Sequence, residues 1–188
     1  MNNLTPPFPD KKYDIIYADP AWYAPEAKGF TGGGSIKRPY PCMTIKEIKE
    51  LPVSNIAKEN SLLFLWVISP DLPECISVGK AWGFDYITVA FIWEKQKTLY
   101  GNYTLPSCEM CLVFKKGKIP QPRGKRNVRQ FLSVKRGRHS AKPKEVRERI
   151  TEMFPTQSKI ELFARPNWTD YNRDWDFWGN EVQETTPE

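Results

Sequence analysis

Histidine is almost absent from this chain, with His139 the only one among 188 residues. A Ser–His–Asp triad would have to use it, and no nucleophile-elbow motif is present, so hydrolysis of that kind is set aside. Cysteine is scarce as well: Cys42, Cys75, Cys108 and Cys111. Only Cys108 and Cys111 have CxxC spacing, and a zinc site would need two further ligands. A redox pair of that spacing usually opens a helix, whereas this pair borders an apolar run, 111–114, that reads as a strand. Reduced, structural thiols are therefore expected, and no metal. No glycine-rich dinucleotide fingerprint follows any candidate strand, and Gly32-Gly33-Gly34-Ser35 lacks the Gly-Lys-Ser/Thr ending of a phosphate loop. The longest apolar runs, such as 62–68, are too short to span a bilayer. Residues 1–10 lack the apolar core of a signal peptide. These absences lead to the expectation of an intracellular, cytoplasmic protein.

Basic charge, by contrast, is abundant and unevenly spread. The chain has 28 Lys and Arg against 22 Asp and Glu, a formal net charge of +6. Residues 115–149 hold 14 of the basic groups and only two acidic ones, Glu145 and Glu148, leaving 14 basic and 20 acidic elsewhere. That stretch thus carries +12 and the remainder −6. Such a concentration fits contact with a phosphate backbone, although a solvated basic loop has the same composition. Within it, Arg123, Lys125 and Arg126, then Lys135, Arg136 and Arg138, alternate with Gly, Pro and Asn. This pattern suits a loop laid along phosphates.

The length suits one domain with one substantial core, spanning 1–188 with loose ends near 1–12 and 183–188. No repeat or long linker interrupts it. Apolar runs at 13–18, 61–67, 86–93, 110–115 and 159–163 read as strands, with a weaker one at 128–134. Thr44 and Glu47 form a capping-box pattern that opens a short helix over 45–51. Ser69 and Pro70 suit a helix start, with the helix continuing to Trp82 despite Pro73. Residues 143–154 are amphipathic, with Val146, Ile150 and Met153 at helical spacing. This alternation predicts an α/β fold with a largely parallel sheet and helices on both faces. Ligands of such sheets bind beyond the carboxyl ends of the strands. Asp19-Pro20-Ala21-Trp22 follows the first strand and Arg165-Pro166-Asn167 follows the last, so the two could meet in one cleft.

The first of these motifs carries groups suited to one particular reaction. The exocyclic amine of adenine is a poor nucleophile, because its lone pair is delocalised into the ring. Two acceptors holding the amine's hydrogens would localise that pair, acting by position and electrostatics. Asp19 offers a carboxylate, Pro20 a backbone carbonyl, and Trp22 a ring on which a flipped base can stack. Pro41-Cys42 resembles the nucleophile of cytosine ring-carbon methyltransferases, but attack by an amine needs no thiol adduct.

The sequence resembles the adenine-N(6) methyltransferase family that includes the eukaryotic messenger-RNA adenosine methyltransferases and short bacterial and phage DNA enzymes. Its signature is Asp-Pro-Pro-Trp after a strand; here Ala21 stands in place of the second proline. Ordered similarity runs over about 13–181. It takes in Pro39-Tyr40 with Met43-Thr44, Leu63-Phe64-Leu65-Trp66-Val67, Trp82-Gly83-Phe84, Ile92-Trp93, and Glu109 with Cys111-Leu112-Val113. His139-Ser140-Ala141-Lys142-Pro143, Ile160-Glu161-Leu162-Phe163-Ala164-Arg165 and Trp178-Gly179-Asn180-Glu181 complete it.

The resemblance implies a Rossmann-like S-adenosyl-L-methionine-dependent methyltransferase fold in which the catalytic motif precedes the cofactor segment. It further implies that Leu162, Arg165 and Asn167 line the cofactor's ribose and adenine, and that Asn180 and Glu181 reach their edges. Lys142 would face the cofactor's carboxylate, with Asp19 also close to the cofactor. Residues 23–42 could form a lid from which Tyr40 contacts the base or the methyl donor, or an ordinary surface loop. The expected activity is methylation of adenine N6 in DNA, in a bacterial or phage-infected cell. An RNA substrate and a catalytically silent nucleic-acid-binding subunit are the alternatives. Nucleic acid is the expected partner.

Overall fold

A computed structural model describes residues 6–20, 22, 43–98, 103–135, 137, 141–164 and 174–180. Among these residues, seven strands form one sheet: β1 (Tyr13–Ala18), β2 (Ala57–Val67), β3 (Asp85–Glu94), β4 (Cys108–Lys116), β5 (Phe131–Ser133), β6 (Lys159–Leu162) and β7 (Asp176–Trp178). Their order across the sheet is β5-β3-β4-β2-β1-β6-β7. Among the described residues, three α-helices accompany them: α1 (Ile45–Glu50), α2 (Leu72–Ala81) and α3 (Lys144–Met153).

Alternation along the strands builds two apolar layers. Ile16 and Ala18 of β1 join Leu63, Leu65 and Val67 of β2 under α1 and α2. Ile15 and Tyr17 join Leu62, Phe64 and Trp66 on the other face, under Val146 and Ile150 of α3. Successive strand residues point to opposite faces, so a run apolar at every position is what a sheet covered on both sides requires. On the first face, the predicted capping box forms: Glu47 N–H donates to Thr44 Oγ1 (3.2 Å) and Thr44 N–H donates to Glu47 Oε2 (2.8 Å). The Trp82 indole N–H donates to the Ile48 carbonyl at 2.8 Å and ties α2 to α1. Gly79 lets α2 approach β4 closely, since a Cβ there would lie 2.4 Å from the Phe114 ring.

The sheet is mostly parallel, as expected, but β4 runs antiparallel to both β2 and β3. A parallel return from β3 would need a crossover, usually a helix. The described part of 95–107 contains none, so the chain doubles back. This brings the first residues of β4 to the carboxyl edge of the parallel strands, with Glu109 opposite Trp93.

Other boundaries differ in detail. The predicted helix over 69–82 begins with a 3-10 turn, Ser69–Asp71, and becomes α-helical at Leu72. Pro73 falls in the first turn, where its missing N–H costs nothing. The weak strand is only Phe131–Ser133, and β7 lies beyond the strand expected to be last. At three residues, β7 is too short to show alternation. Residues 6–12, read as part of a loose end, run beside it: Phe8 stacks on Trp178 with ring centroids 4.3 Å apart. Lys11 also pairs with Asp176 at 2.7 Å. No helix among the described residues is long and apolar enough to cross a membrane.

Candidate active site

The carboxyl edge of the parallel strands gathers Asp19, Pro20, Trp22, Lys135, Lys142, Leu162 and Asn180. Asp19 follows β1 directly, and Ala18 is in register with both Leu65 of β2 and Leu162 of β6. The chain leaves β1 toward β2 on one side, while β6 arrives on the other. A sheet opens a ligand crevice where its order reverses in this way.

Local hydrogen bonds shape the first motif. The Trp22 N–H donates to the Pro20 carbonyl at 2.9 Å, closing a tight turn. The Trp22 indole N–H donates to the Trp66 carbonyl at 3.2 Å, near the end of β2. Trp22 also forms an isolated bridge with Met43. Its half-buried ring packs on the core under α1 and α2. A carbonyl has two lone pairs, so the turn does not exhaust the Pro20 oxygen as an acceptor.

The electrostatics centre on Lys142, just before α3. Its ammonium lies 2.8 Å from Asp19 Oδ2 and 3.0 Å from Glu109 Oε2, and 5.4 Å from the centre of the Trp66 ring. Glu109 Oε1 is in turn 3.2 Å from Lys95 Nζ. Four groups thus alternate in sign: Asp19, Lys142, Glu109, Lys95. Lys142, Glu109 and Lys95 side chains are 12%, 15% and 9% exposed, whereas Asp19 opens to solvent at 32%. Burial alone would push the Lys142 ammonium down, but Asp19 and then Glu109 outweigh it and its pKa is raised. Burial likewise works against the Glu109 carboxylate; Lys142 and then Lys95 prevail and hold its pKa below the ordinary glutamate value.

The remaining predicted residues fall in three groups. Leu162 is fully buried at the end of β6. It precedes Phe163, whose φ of 60° turns the chain out of the sheet. Asn180 is exposed and follows Gly179, where a Cβ would lie 2.7 Å from the Ala164 carbonyl. Asp19, Lys142, Leu162 and Asn180 therefore share one edge. Lys135 is exposed just beyond β5, with Val134 N–H bonded to the Glu94 carbonyl at 3.2 Å, and so joins that edge too.

Arg123, Lys125 and Arg126 belong instead to the opposite edge. Gly124 and Lys125 N–H groups bond to the Met153 and Glu152 carbonyls at the far end of α3. Lys125 pairs with Glu152 at 3.1 Å, and Arg123 lies 5.9 Å from the centre of the Phe154 ring. The basic segment is therefore not one continuous loop beside the motif; β5 and the length of α3 divide it. Ala21, Tyr40, Arg136, Arg138, Arg165, Asn167 and Glu181 lie outside the described residues, as do Cys42 and His139.

Glu109 and Lys95 were not among the predicted site residues. The signal for Glu109 is a carboxylate just before the apolar run 110–114, and the antiparallel course of β4 gives it meaning. Lys95 gives no such signal, since a lysine after a strand ordinarily reads as solvated. Cys75, Cys108 and Cys111 are free thiols. Burial pushes Cys75 and Cys111 upward, so both stay protonated and inert. No metal-binding cluster is found among the described residues.

The carboxyl edge of the α/β sheet thus carries an Asp-Pro-x-Trp turn and a buried ion chain. The MT-A70 family model matches residues 13–181, and the chain belongs to that family. It is 44% identical over 197 residues to the type II methyltransferase M.MunI of a Mycoplasma species, covering 97% of this chain and 83% of that protein. It is 29% identical to a putative N(6)-adenosine-methyltransferase MT-A70-like protein of Medicago truncatula, over 91% of this chain and 26% of that protein. An Arabidopsis thaliana N(6)-adenosine-methyltransferase MT-A70-like protein is 28% identical over 81% of this chain and 22% of its own length.

Proposed function

We propose that the chain transfers a methyl group from S-adenosyl-L-methionine to the N6 amine of adenine in DNA, on a Rossmann-like methyltransferase fold. The observation that carries this reading is the Asp19–Lys142 pair beside the Pro20–Trp22 turn. The cofactor's amino-acid end bears an ammonium and a carboxylate, and Asp19 and Lys142 at 2.8 Å offer the complementary charges. Leu162 and Asn180 flank the neighbouring strand ends where its nucleoside would lie, with Arg165, Asn167 and Glu181 assigned there from the family pattern. When bound, the cofactor supplies an electrophilic methyl group.

The protein's share is to prepare the amine. Asp19 and the Pro20 carbonyl accept its two hydrogens, which draws the lone pair out of conjugation. Trp22 supports the face of the flipped base, and Tyr40 completes the base contact. These are fixed dipoles and charges aimed at the reacting nitrogen, so little reorganisation is needed during transfer. Lys135, with Arg136 and Arg138, is assigned to phosphates near the reacting base. Arg123, Lys125 and Arg126 would meet the polyanion only farther along it.

DNA is favoured over RNA by the higher identity to the Mycoplasma type II methyltransferase, 44%, than to the plant N(6)-adenosine-methyltransferase-like proteins, 28% and 29%. The test is transfer of labelled methyl to duplex DNA, single-stranded DNA and RNA in parallel. Label in N6-methyldeoxyadenosine is expected. Label in RNA alone would move the assignment to RNA, and binding without transfer would favour the silent subunit.

A further inference from the structure

Lys95 has an unusual placement for a lysine that ends a strand. It is 8% exposed, and its ammonium is directed to Glu109 Oε1 at 3.2 Å. Its backbone is pinned as well: Lys95 N–H donates to the Ser107 carbonyl at 2.9 Å. The next residue, Gln96, adopts a φ of 53° without being glycine, a conformation that costs on the order of 1 kcal/mol. Gln96 is held there by its N–H to Glu94 Oε1 (2.8 Å) and by its side chain to Ser133 Oγ (3.1 Å). Burying an ammonium is expensive unless it is paired, and here the pairing of β3 with β4 supplies Glu109 as the partner.

We propose that Lys95 is a positioning residue of the methyl-transfer centre, holding Glu109 ionised so that Lys142 is shared between Glu109 and Asp19. The proposal rests on the methyltransferase reading above. With Lys95 present, the four groups sum to zero charge. Without it, Asp19, Lys142 and Glu109 leave one excess negative charge in a largely buried cluster. The cheapest relief is protonation of Glu109, and a neutral Glu109 releases Lys142 onto Asp19. Asp19 then meets the amine with its carboxylate more fully committed to lysine.

Among the described residues, few groups face Glu109. Lys95 approaches from the end of β3 and Lys142 from the start of α3, with Asp19 behind it after β1. Cys108 and Cys111 lie on β4 itself. Glu94 is turned away, bonded to Gln96 N–H and to Ser133 Oγ.

The experiment replaces Lys95 with Met and with Arg in the full chain and follows two readouts. The first is the Glu109 carboxyl titration in the free protein, by carbon-13 NMR with the signal assigned through Glu109→Gln. Lys95→Met should raise the midpoint by about one pH unit, since an opposite charge at this range is worth one to three, and Lys95→Arg should restore it. The second is the pH dependence of kcat/KM for methyl transfer, whose acid limb should move up by the same amount, about a tenfold loss on that limb. An unmoved Glu109 midpoint in Lys95→Met would overturn the proposal, as would a moved midpoint with an unmoved acid limb. If wild type transfers no methyl to any nucleic acid yet the midpoint moves and Arg restores it, the electrostatic role stands and the activity reading falls. Should Lys95→Met lose its cooperative melt, Lys95→Gln, which keeps a donor but no charge, serves the same test.

Discussion

At the carboxyl edge of the sheet, Asp19, Lys142, Glu109 and Lys95 alternate in a largely buried chain. At the amino edge, Lys125 and Glu152 pair with each side chain 50% exposed, and Lys115 and Lys118 line a shallow depression with Tyr86, Ile87 and Ile119. The two edges are separated along β4 by the seven steps from Glu109 to Lys116, about 23 Å. Exposed pairs contribute little to stability, whereas a buried pair is costly to assemble and costlier to break. The buried chain at the carboxyl edge is therefore costlier to assemble and to break than the Lys125–Glu152 pair at the amino edge. Backbone strain lies at the carboxyl edge as well, for among the described residues the non-glycine ones with positive φ, Gln96 and Phe163, both follow strands there.

Substitutions can break this contrast. Asp19→Ala should reduce methyl transfer by about a thousandfold or more, the scale of losing an aligned charged group at a reacting centre; single-turnover assays would show it. Lys142→Met strands two carboxylates and should lower stability by about 3 kcal/mol, read by urea denaturation. A mutant as stable as wild type would mean that the ion chain relaxes freely. Lys125→Ala, on the exposed edge, should change stability by less than about 0.5 kcal/mol.

Acid sharpens the same comparison. Because the folded Glu109 pKa is lowered, its contribution is complete above the ordinary value of 4.5 and is lost as pH falls through the lowered folded value. Asp14 behaves alike: despite its burial, Lys58 at 2.7 Å and Ser158 hold its pKa down. Stability measured from pH 6 to pH 2 should therefore fall steeply below about pH 4. In Glu109→Gln that fall should be shallower, because one of the titrating groups is gone.

Much of the fold was legible because β1 and β2 are apolar at successive positions, which only a doubly covered strand requires. The Thr44–Glu47 cap and the α3 stripe were legible for similar reasons, each being a local pattern. The antiparallel course of β4 was not, since it depends on how residues 95–107 return rather than on the strand itself. Glu109 and Lys95 were missed as site residues for that reason, as no local pattern brings residues from β3, β4 and the start of α3 together. The split of the basic segment was hidden likewise: a charge count places 115–149 in one patch, while the fold carries 123–126 and Lys135 to opposite edges.

The central claim is tested most directly by the identity of the methylated product. Duplex DNA treated with the protein and methyl-labelled S-adenosyl-L-methionine should yield label in N6-methyldeoxyadenosine on digestion to nucleosides, and Asp19→Ala should yield less by about a thousandfold or more. Label in a cytosine nucleoside, or an Asp19→Ala protein as active as wild type, would contradict the account.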